Sequence, residues 1–390
     1  MGEYNANDYP ITTINCPHTN TNGAIYFNSK FNTAGQNVVI NNGESVILRQ
    51  SDINGKNDAS SPIRITVNNG GELIFNDEDI TIHLTEILVV GGSLKMGSET
   101  CRIQNNINII FHGTKATSSL DNGDNTLPSK GIVVQQSTAT LELHGKKFHP
   151  TWTRLATTAT AGSNQVILQD KVNWEVGQEI VVITSGFWDC PIGEEWPNCY
   201  RCNDWEKTAY PTWANDNPNG LTVCRYNDEV RNENRKYVHQ NEVRKIVSKT
   251  AGTIGDVITL NETLNFDHYA DTEYQVEVAL LTRNIKFEGT DDGELFGGHI
   301  LATGGSLVHV EGIEVRNFGQ QHELGRYPFH MHLQGDAPNS YFKENSCRDS
   351  NWRAYVLHGT NSTHIERNVA WNIKGMAYYN EDGVEENLVY

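Results

Sequence analysis

The chain has 390 residues, of which 37% are hydrophobic, and it carries a formal net charge of −18 at pH 7. This length suits two or three domains or one elongated solenoid. No apolar run approaches the ~18 residues that a membrane span needs, so no membrane segment is predicted within the chain. The negative charge argues against binding of DNA or RNA by bulk attraction. The first residues, MGEYNANDYP, lack the basic and apolar regions of a signal peptide.

Short strands separated by Gly and Asn turns dominate the N-terminal part. Residues 1–30 are interpreted as an extension and residues 31–150 as a glycine-rich β-solenoid domain. A β-rich run, a tight turn and a second alternating run recur in VVINNGESVIL (38–48), ITVNNGGELIF (65–75), LVVGGSLKMG (88–97) and, much later, LATGGSLVHVEG (301–312). Such repeats predict coils that bury their inner faces against their neighbours.

Residues 151–280 have a different pattern. The runs VNWEVGQEIVVITS and NEVRKIVSKTAGTIGDVITLNETL predict hairpins of a small antiparallel β-domain. Between them lies a Cys- and Trp-rich insert, 186–238, and loops of that length are usually functional or cross-linked. The sequons at Asn261 and Asn361 permit glycans in a secreted protein.

The insert contains a cluster of cysteines, namely Cys190, Cys199, Cys202 and Cys224. Their irregular spacing favours local disulfides of an extracellular protein over a four-cysteine zinc site, which stays the alternative. Cys16, Cys101 and Cys347 remain, so at least one thiol is expected to be free or to pair outside the chain.

Residues 281–390 are predicted to form a parallel β-helix that continues beyond Tyr390. In the stretch RYPFHMHLQGD, His330 and His332 are two residues apart on an extended segment, so both imidazoles should point to the same face. The question is whether they form a metal site, a catalytic pair or a polar strand face.

A repeat in this part suggests which residues join them. Asn317, Asn345 and Asn368 each follow an alternating strand, and His330, His358 and Glu381 come thirteen residues after them. Equivalent positions of stacked coils lie ~4.8 Å apart, so these three residues should form a column with His332 beside it. Imidazoles with one carboxylate are a common ligand set for zinc and other divalent ions, with calcium a further possibility. The alternative is a structural ladder of polar side chains.

Three further residues are candidates for chemistry on a sugar. Asp336 and Asp382 are carboxylates available for acid–base catalysis, although Asp382 should point away from Glu381 if the strand is regular. Arg326 precedes the YPFH word and is a candidate clamp for a uronic acid carboxylate, with a structural ion pair as its alternative. For the two carboxylates the alternative is a solvated surface position.

Several stretches together resemble a known family. They are ILVVGGSLKMGSETCRI, INIIFHGT, TWTRLA, VNWEVGQEIVV, YQVEVALLTRNI, FGGHI, LGRYPFHMHLQGD, YVLHGTN and NEDGVEEN. They resemble the ectodomains with an eight-glycine domain that occur in the cell migration-inducing hyaluronidase, the transmembrane cell-surface hyaluronidase and the fibrocystin-like proteins. The resemblance covers most of the chain except the insert and the first thirty or so residues.

The resemblance implies an all-β fold with a right-handed parallel β-helix of the pectate-lyase type. It also implies a secreted protein or one on the extracellular face of the plasma membrane. The two hyaluronidase branches cleave hyaluronan, so a polysaccharide such as hyaluronan is the expected partner, acted on at a metal-dependent histidine face. Hyaluronan is a polyanion and the chain is acidic, a mismatch that a bound divalent cation would offset. The alternative is a non-catalytic adhesion or receptor module of the fibrocystin-like kind that binds glycans or proteins.

Overall fold

The computed structural model describes residues 13–19, 23–119, 127–185, 240–291 and 293–389. The chain divides into two compact units, one of residues 1–152 and 280–390 and the other of residues 153–279. Among the described residues, no helix is long and apolar enough to cross a membrane. The predicted cysteine cluster in the insert lies outside these residues.

The described residues are almost entirely β-structure. Short 3₁₀ helices span Pro17–Thr19 and Phe27–Ser29, and one α-helical turn spans Gln50–Ile53. The strands are β1 (Ile25–Tyr26), β2 (Val38–Ile40), β3 (Ser45–Leu48), β4 (Ile63–Asn68), β5 (Glu72–Phe75), β6 (Ile80–Val90), β7 (Ser93–Met96), β8 (Ile107–Phe111), β9 (Gly131–Gln135), β10 (Thr140–His144), β11 (Trp152–Arg154), β12 (Gln165–Ile167), β13 (Glu179–Val182), β14 (Glu242–Ala251), β15 (Asp256–Leu260), β16 (Glu277–Leu280), β17 (Ile285–Gly289), β18 (Ile300–Thr303), β19 (Leu307–Glu311), β20 (Ile313–Arg316), β21 (Phe329–Asp336), β22 (Tyr341–Lys343), β23 (Ser346–Ser350), β24 (Tyr355–Asn361), β25 (His364–Glu366), β26 (Val369–Ile373), β27 (Tyr378–Asn380) and β28 (Leu388–Val389).

Two long parallel sheets form the first unit. Sheet A has the order β1-β3-β5-β7-β10-β19-β22-β25-β28, and sheet B has the order β26-β23-β20-β17-β8-β6-β9-β18-β21-β24-β27, with β4 joining β2 to β6. Successive coils of the chain thus add parallel strands to each sheet, which confirms the predicted parallel β-helix. The second unit contains an antiparallel sheet of order β11-β16-β13-β14-β15-β12.

The core of the first unit is the interior of the coils. In β4, Ile63, Ile65 and Val67 are buried while the alternate residues are partly exposed, as the period of two requires. The same alternation recurs in β8 and β17, and their inward residues belong to one continuous aliphatic and aromatic cluster. Each fully buried side chain of this size contributes roughly 1.5–3 kcal/mol relative to an exposed one.

Asparagine side chains link successive coils where the chain passes from sheet A to sheet B. The Asn345 Oδ1 accepts a hydrogen bond from the Ile313 backbone N–H (3.1 Å), and its Nδ2 donates to the Val310 carbonyl (3.1 Å). The Asn368 Oδ1 in turn accepts from the Asn345 N–H (2.9 Å). Because these groups are buried, each amide side chain satisfies backbone groups that water does not reach.

The predicted equivalence of Asn317 with Asn345 is wrong. Arg316 pairs with Arg348, so the residue of the next coil that is equivalent to Asn317 is Asp349 and not Asn345. Asn317, Asp349 and Asn372 instead share a left-handed backbone conformation, with φ of 50°, 53° and 53°. Short polar side chains tolerate that conformation, which places a bend at the same point of successive coils.

A disulfide joins Cys16 to Cys101 across 85 residues of sequence. The sequence alone left these two cysteines without an assigned partner. Cys347 is a free thiol buried in the core.

Candidate functional site

Strand β21 presents the two central histidines. Phe329 and Met331 point into the core, and His330 and His332 alternate with them on the outer face of sheet B. The two imidazole rings lie 5.2 Å apart between centroids in an edge-to-face arrangement. Both rings therefore share one face, as the extended segment predicts.

The register of the column differs from the expected one. His332, and not His330, lies directly opposite His358, while His330 pairs with Val356. The repeated motif predicted that Tyr327 pairs with Tyr355 and that His330 stacks on His358. Phe329 pairs with Tyr355 instead, so the predicted stacking is wrong by two residues. Inside the coil, the centroids of the Phe329 and Tyr355 rings lie 4.7 Å apart in a stacked arrangement. This contact is consistent with the observed register, in which the two residues pair.

His330 is fixed in one orientation. Its side chain is 0% exposed, and Nδ1 lies 3.0 Å from the Gly325 carbonyl oxygen, which can only accept, so Nδ1 carries the proton. The Nε2 lone pair has no hydrogen-bond partner among the described residues. Burial, together with the nearby His332, His358 and Arg353, lowers the pKa of His330 to about 3, so the ring is neutral at physiological pH.

His332 and His358 continue the cluster toward solvent. Their ring centroids are 4.8 Å apart. Partial burial, and secondly the neighbouring His358, lower the pKa of His332. His358 faces two carboxylates, because its Nδ1 lies 3.9 Å from Glu381 Oε2 and its Nε2 lies 3.4 Å from Asp382 Oδ2.

Glu381 and Asp382 both reach the cluster. The expectation that Asp382 points away from Glu381 is wrong, because β27 ends at Asn380 and the alternation of a strand no longer applies. The Glu381 backbone N–H donates to the Leu357 carbonyl (2.9 Å), which anchors this turn beside β24.

Three of these residues could hold a metal ion. One nitrogen from each of His330 and His358 and one carboxylate oxygen of Glu381 lie within 4.8 Å of one another. Two imidazoles and a carboxylate suit a borderline divalent ion such as Zn²⁺. Ligating histidines commonly donate their second ring N–H to a backbone carbonyl, as His330 does to Gly325. The orphaned, buried Nε2 of His330 is what an ion would satisfy.

An arginine and two aromatic rings border the cluster. The Arg353 Nη1 lies 3.3 Å from Glu381 Oε1 and donates to the Tyr327 hydroxyl at 3.1 Å. Its guanidinium carbon sits 4.0 Å from the Tyr379 ring centroid. Burial, more than the adjacent Glu381, raises the pKa of Tyr327, so that hydroxyl keeps its proton. Sequence reasoning missed both tyrosines as residues of the site.

Two of the predicted catalytic residues lie elsewhere. Arg326 is fully buried, with Nη1 donating to His299 Nε2 (2.9 Å) and Nη2 to the Ser119 carbonyl (3.0 Å). It therefore belongs to an internal polar network and does not reach the outer face as a substrate clamp. Asp336 is exposed at the end of β21, opposite Asn361 and beyond a register shift that follows His332.

The two sequons lie at strand ends. Asn261 is exposed directly after β15, and Asn361 ends β24 with its Oδ1 accepting a hydrogen bond from the Glu386 N–H (2.8 Å). Glycosylation at both sites stays a prediction.

The fold and the cluster define a parallel β-helix protein with an outward histidine–carboxylate site on one sheet. Residues 26–156 match the family model of the G8 domain, and residues 295–389, which include the cluster, match that of the CEMIP beta-helix. The chain is therefore similar to G8-domain proteins over the first of these ranges and to CEMIP-type β-helices over the second. The resemblance seen in the sequence is confirmed.

Individual relatives agree with this assignment. A G8 domain-containing protein of Dictyostelium discoideum is 36% identical over 355 residues, which cover 90% of this chain and 21% of the relative. Human fibrocystin-L is 30% identical over 407 residues, covering 91% of this chain and 8% of that protein. The chain thus spans about a fifth or less of these relatives. Among solved structures, the tailspike gp61 of Pseudomonas phage phi297 aligns over 84% of this chain and 41% of its own, with 9% identity and a TM-score of 0.23.

Proposed function

We propose that this chain is a glycan-acting module of an extracellular protein, and that His330, His358 and Glu381 hold a divalent metal ion there. The observation that carries the proposal is the buried, unpartnered Nε2 of His330, aligned with a second imidazole and a carboxylate. Hyaluronan is the first polysaccharide to test, because the family resemblance includes enzymes that cleave it.

The residues around the ion have complementary roles in this proposal. A bound divalent ion would supply positive charge that holds an anionic sugar on an acidic protein. His332 is half-buried and its pKa is lowered, so the neutral ring either completes the ligand set or accepts a proton from the sugar. The Tyr379 ring and the Arg353 guanidinium provide a surface on which a sugar ring or its carboxylate rests.

The Cys16–Cys101 bond supports an extracellular setting. Disulfides form and persist in oxidising compartments and are rare in the reducing cytosol. The same setting allows glycans at the two sequons.

A second candidate is a non-catalytic module that binds glycans or proteins. The ion pair between Arg353 and Glu381 favours it, because this guanidinium offsets the carboxylate charge without any metal. Under this alternative the histidines form a polar face, and ligand binding does not depend on a divalent ion.

The decisive experiment measures metal and turnover on the 390-residue chain. Metal content after dialysis is compared between the wild type, His358→Gln, Glu381→Gln and the control His364→Gln, a partly exposed histidine on sheet A. The proposal expects one equivalent to be lost in the first two variants only. The size of hyaluronan, and of a neutral polysaccharide as comparison, is then followed with and without chelator. Metal-dependent shortening supports the enzyme, chelator-insensitive binding without shortening supports the module, and unchanged metal content in both variants overturns the metal site.

A further inference from the structure

A second histidine–carboxylate cluster lies on sheet A. Glu142 and His144 stand in β10, and His309 stands in β19, directly opposite Glu142 in the parallel register. The Glu142 Oε2 lies 2.7 Å from His144 Nε2, and its Oε1 lies 2.9 Å from His309 Nδ1. One carboxylate thus bridges two imidazoles that come from neighbouring coils.

The rings are held in place from outside the cluster. His309 Nε2 donates to the Asn339 carbonyl (2.8 Å), and its ring stacks on Tyr341 at 4.6 Å with an interplanar angle of 8°. His144 is 0% exposed and cannot swing away. The side chains of Glu142 and His309 are 18% and 23% exposed, so an ion can enter from solvent.

We infer that Glu142, His144 and His309 form a second divalent-metal site, which takes a zinc-like ion through two nitrogens and one oxygen. The ligand atoms of the three residues lie within 4.8 Å of one another. Calcium and magnesium favour sites made of oxygen ligands, so this donor set selects a borderline transition ion. Three protein ligands leave a further coordination position open to water or to an anionic group.

The hydrogen bonds of the ion-free cluster are compatible with metal entry. The ion takes the place of the two ring protons that face Glu142, while His309 keeps its Nε2–H on the Asn339 carbonyl. That carbonyl is the kind of outer partner that orients ligating imidazoles.

The position of the site gives it a structural consequence. His144 precedes and His309 follows residues 153–279, which form the other compact unit. An ion at this site would cross-link β10 to β19, two strands that are adjacent in sheet A and separated along the chain by that unit.

The test uses the 390-residue chain with His358→Gln in every sample, so that the cluster on sheet B does not contribute. Zinc content after chelator treatment, reloading and dialysis is compared for this parent and for the same protein with His309→Gln or Glu142→Gln added. The control carries His364→Gln, because His364 lies in the same row of sheet A, opposite Tyr341. Zinc held elsewhere, including by cysteines, cancels in the difference.

The inference expects each added variant to lose one zinc equivalent and the control to lose none. It also expects zinc to raise the thermal unfolding midpoint of the parent more than that of His309→Gln. Circular dichroism without metal checks that the variants fold, and Glu142→Gln replaces His309→Gln if the latter does not. Equal zinc content in the parent and in the folded variants, including no zinc in either, overturns the site.

Discussion

Acidification should destabilise the first unit through His330. The ring is fully buried and neutral, and its pKa is about 3 in the folded chain against an ordinary value of 6.5. The unfolded chain therefore binds a proton at this residue as the pH falls through 6.5, while the folded chain resists it. The contribution of His330 to stability is complete above pH 6.5 and declines as the pH falls toward 3.

The size of the effect follows from the two pKa values. At pH 5 His330 is almost fully protonated in the unfolded chain and unprotonated in the folded chain. The free energy of unfolding is therefore lower by about 2 kcal/mol than at pH 7.5. Desolvation is the main cause, so the loss does not depend on salt as a surface ion pair would.

The assay is urea unfolding followed by far-UV circular dichroism at pH 7.5 and 5.0, with chelator present so that no ion occupies the cluster. The wild type is compared with His330→Gln, whose amide can still donate to the Gly325 carbonyl but does not titrate. The difference between the two pH dependences isolates His330 from all other titrating groups, and His364→Gln serves as control. The reasoning is refuted if wild type and His330→Gln lose the same free energy of unfolding between the two pH values.

Three further perturbations test other parts of the structure. Replacing Cys16 by Ala removes the bond to Cys101, and by the loop-entropy model this lowers the free energy of unfolding by up to about 4.5 kcal/mol, measured by urea unfolding. Asn345→Ala leaves buried backbone groups without partners and should cost about 2–4 kcal/mol in the same assay. Arg353→Gln removes a positive charge beside Glu381, so zinc affinity at the sheet B cluster, measured by competition with a chelating dye, should tighten by roughly tenfold.

Each of these has a matched control. Cys101→Ala removes the same bond and should reproduce the Cys16→Ala result, and a Cys16→Ala variant that is as stable as the wild type would contradict the prediction. Asn339→Ala changes an exposed amide and should stay within about 0.5 kcal/mol of wild type. Arg316→Gln changes the net charge by the same amount at an exposed side chain. If this variant gains as much zinc affinity as Arg353→Gln, the effect of Arg353 is due to net charge alone.

The β-solenoid was predictable from the residues because its physical signals are local, whereas its parallel β-helix form was implied by the family resemblance. Tight turns after short alternating runs, as in residues 65–75, specify both the strand and the return of the chain. The same-face placement of His330 and His332 follows from the strand period alone. These features depend on neighbours in sequence, which a single chain displays directly.

The register between coils was not predictable in the same way. The repeated Tyr and His motifs favoured Tyr327 as the equivalent of Tyr355, whereas in the structure Phe329 pairs with Tyr355. Either choice buries one aromatic ring per coil, so composition cannot separate them. The loop before Phe329 decides the matter, and its length carries no periodic signal.

The sheet A cluster shows the same limit at longer range. Glu142 and His309 are 167 residues apart, and the second unit lies between them in sequence. Polar and apolar residues alternate in the segments TLELH and LVHVE, so the sequence did indicate which of their side chains point outward. Nothing in either word identified the other as its neighbour, because pairing depends on where the chain resumes the β-helix after the insertion.

Both clusters follow from one property of stacked coils. Neighbouring parallel strands lie ~4.8 Å apart, whereas two ligand atoms bound tetrahedrally to one ion at ~2 Å each lie roughly 3.3 Å apart. Outward imidazoles and carboxylates on adjacent rungs therefore converge with small side-chain tilts, while the aliphatic interior fixes the backbone. In the sheet B cluster, His330 reaches His358 diagonally from a position two residues off its rung. A change that shifts the register of β21 against β24 should accordingly abolish metal binding even when every ligand is retained.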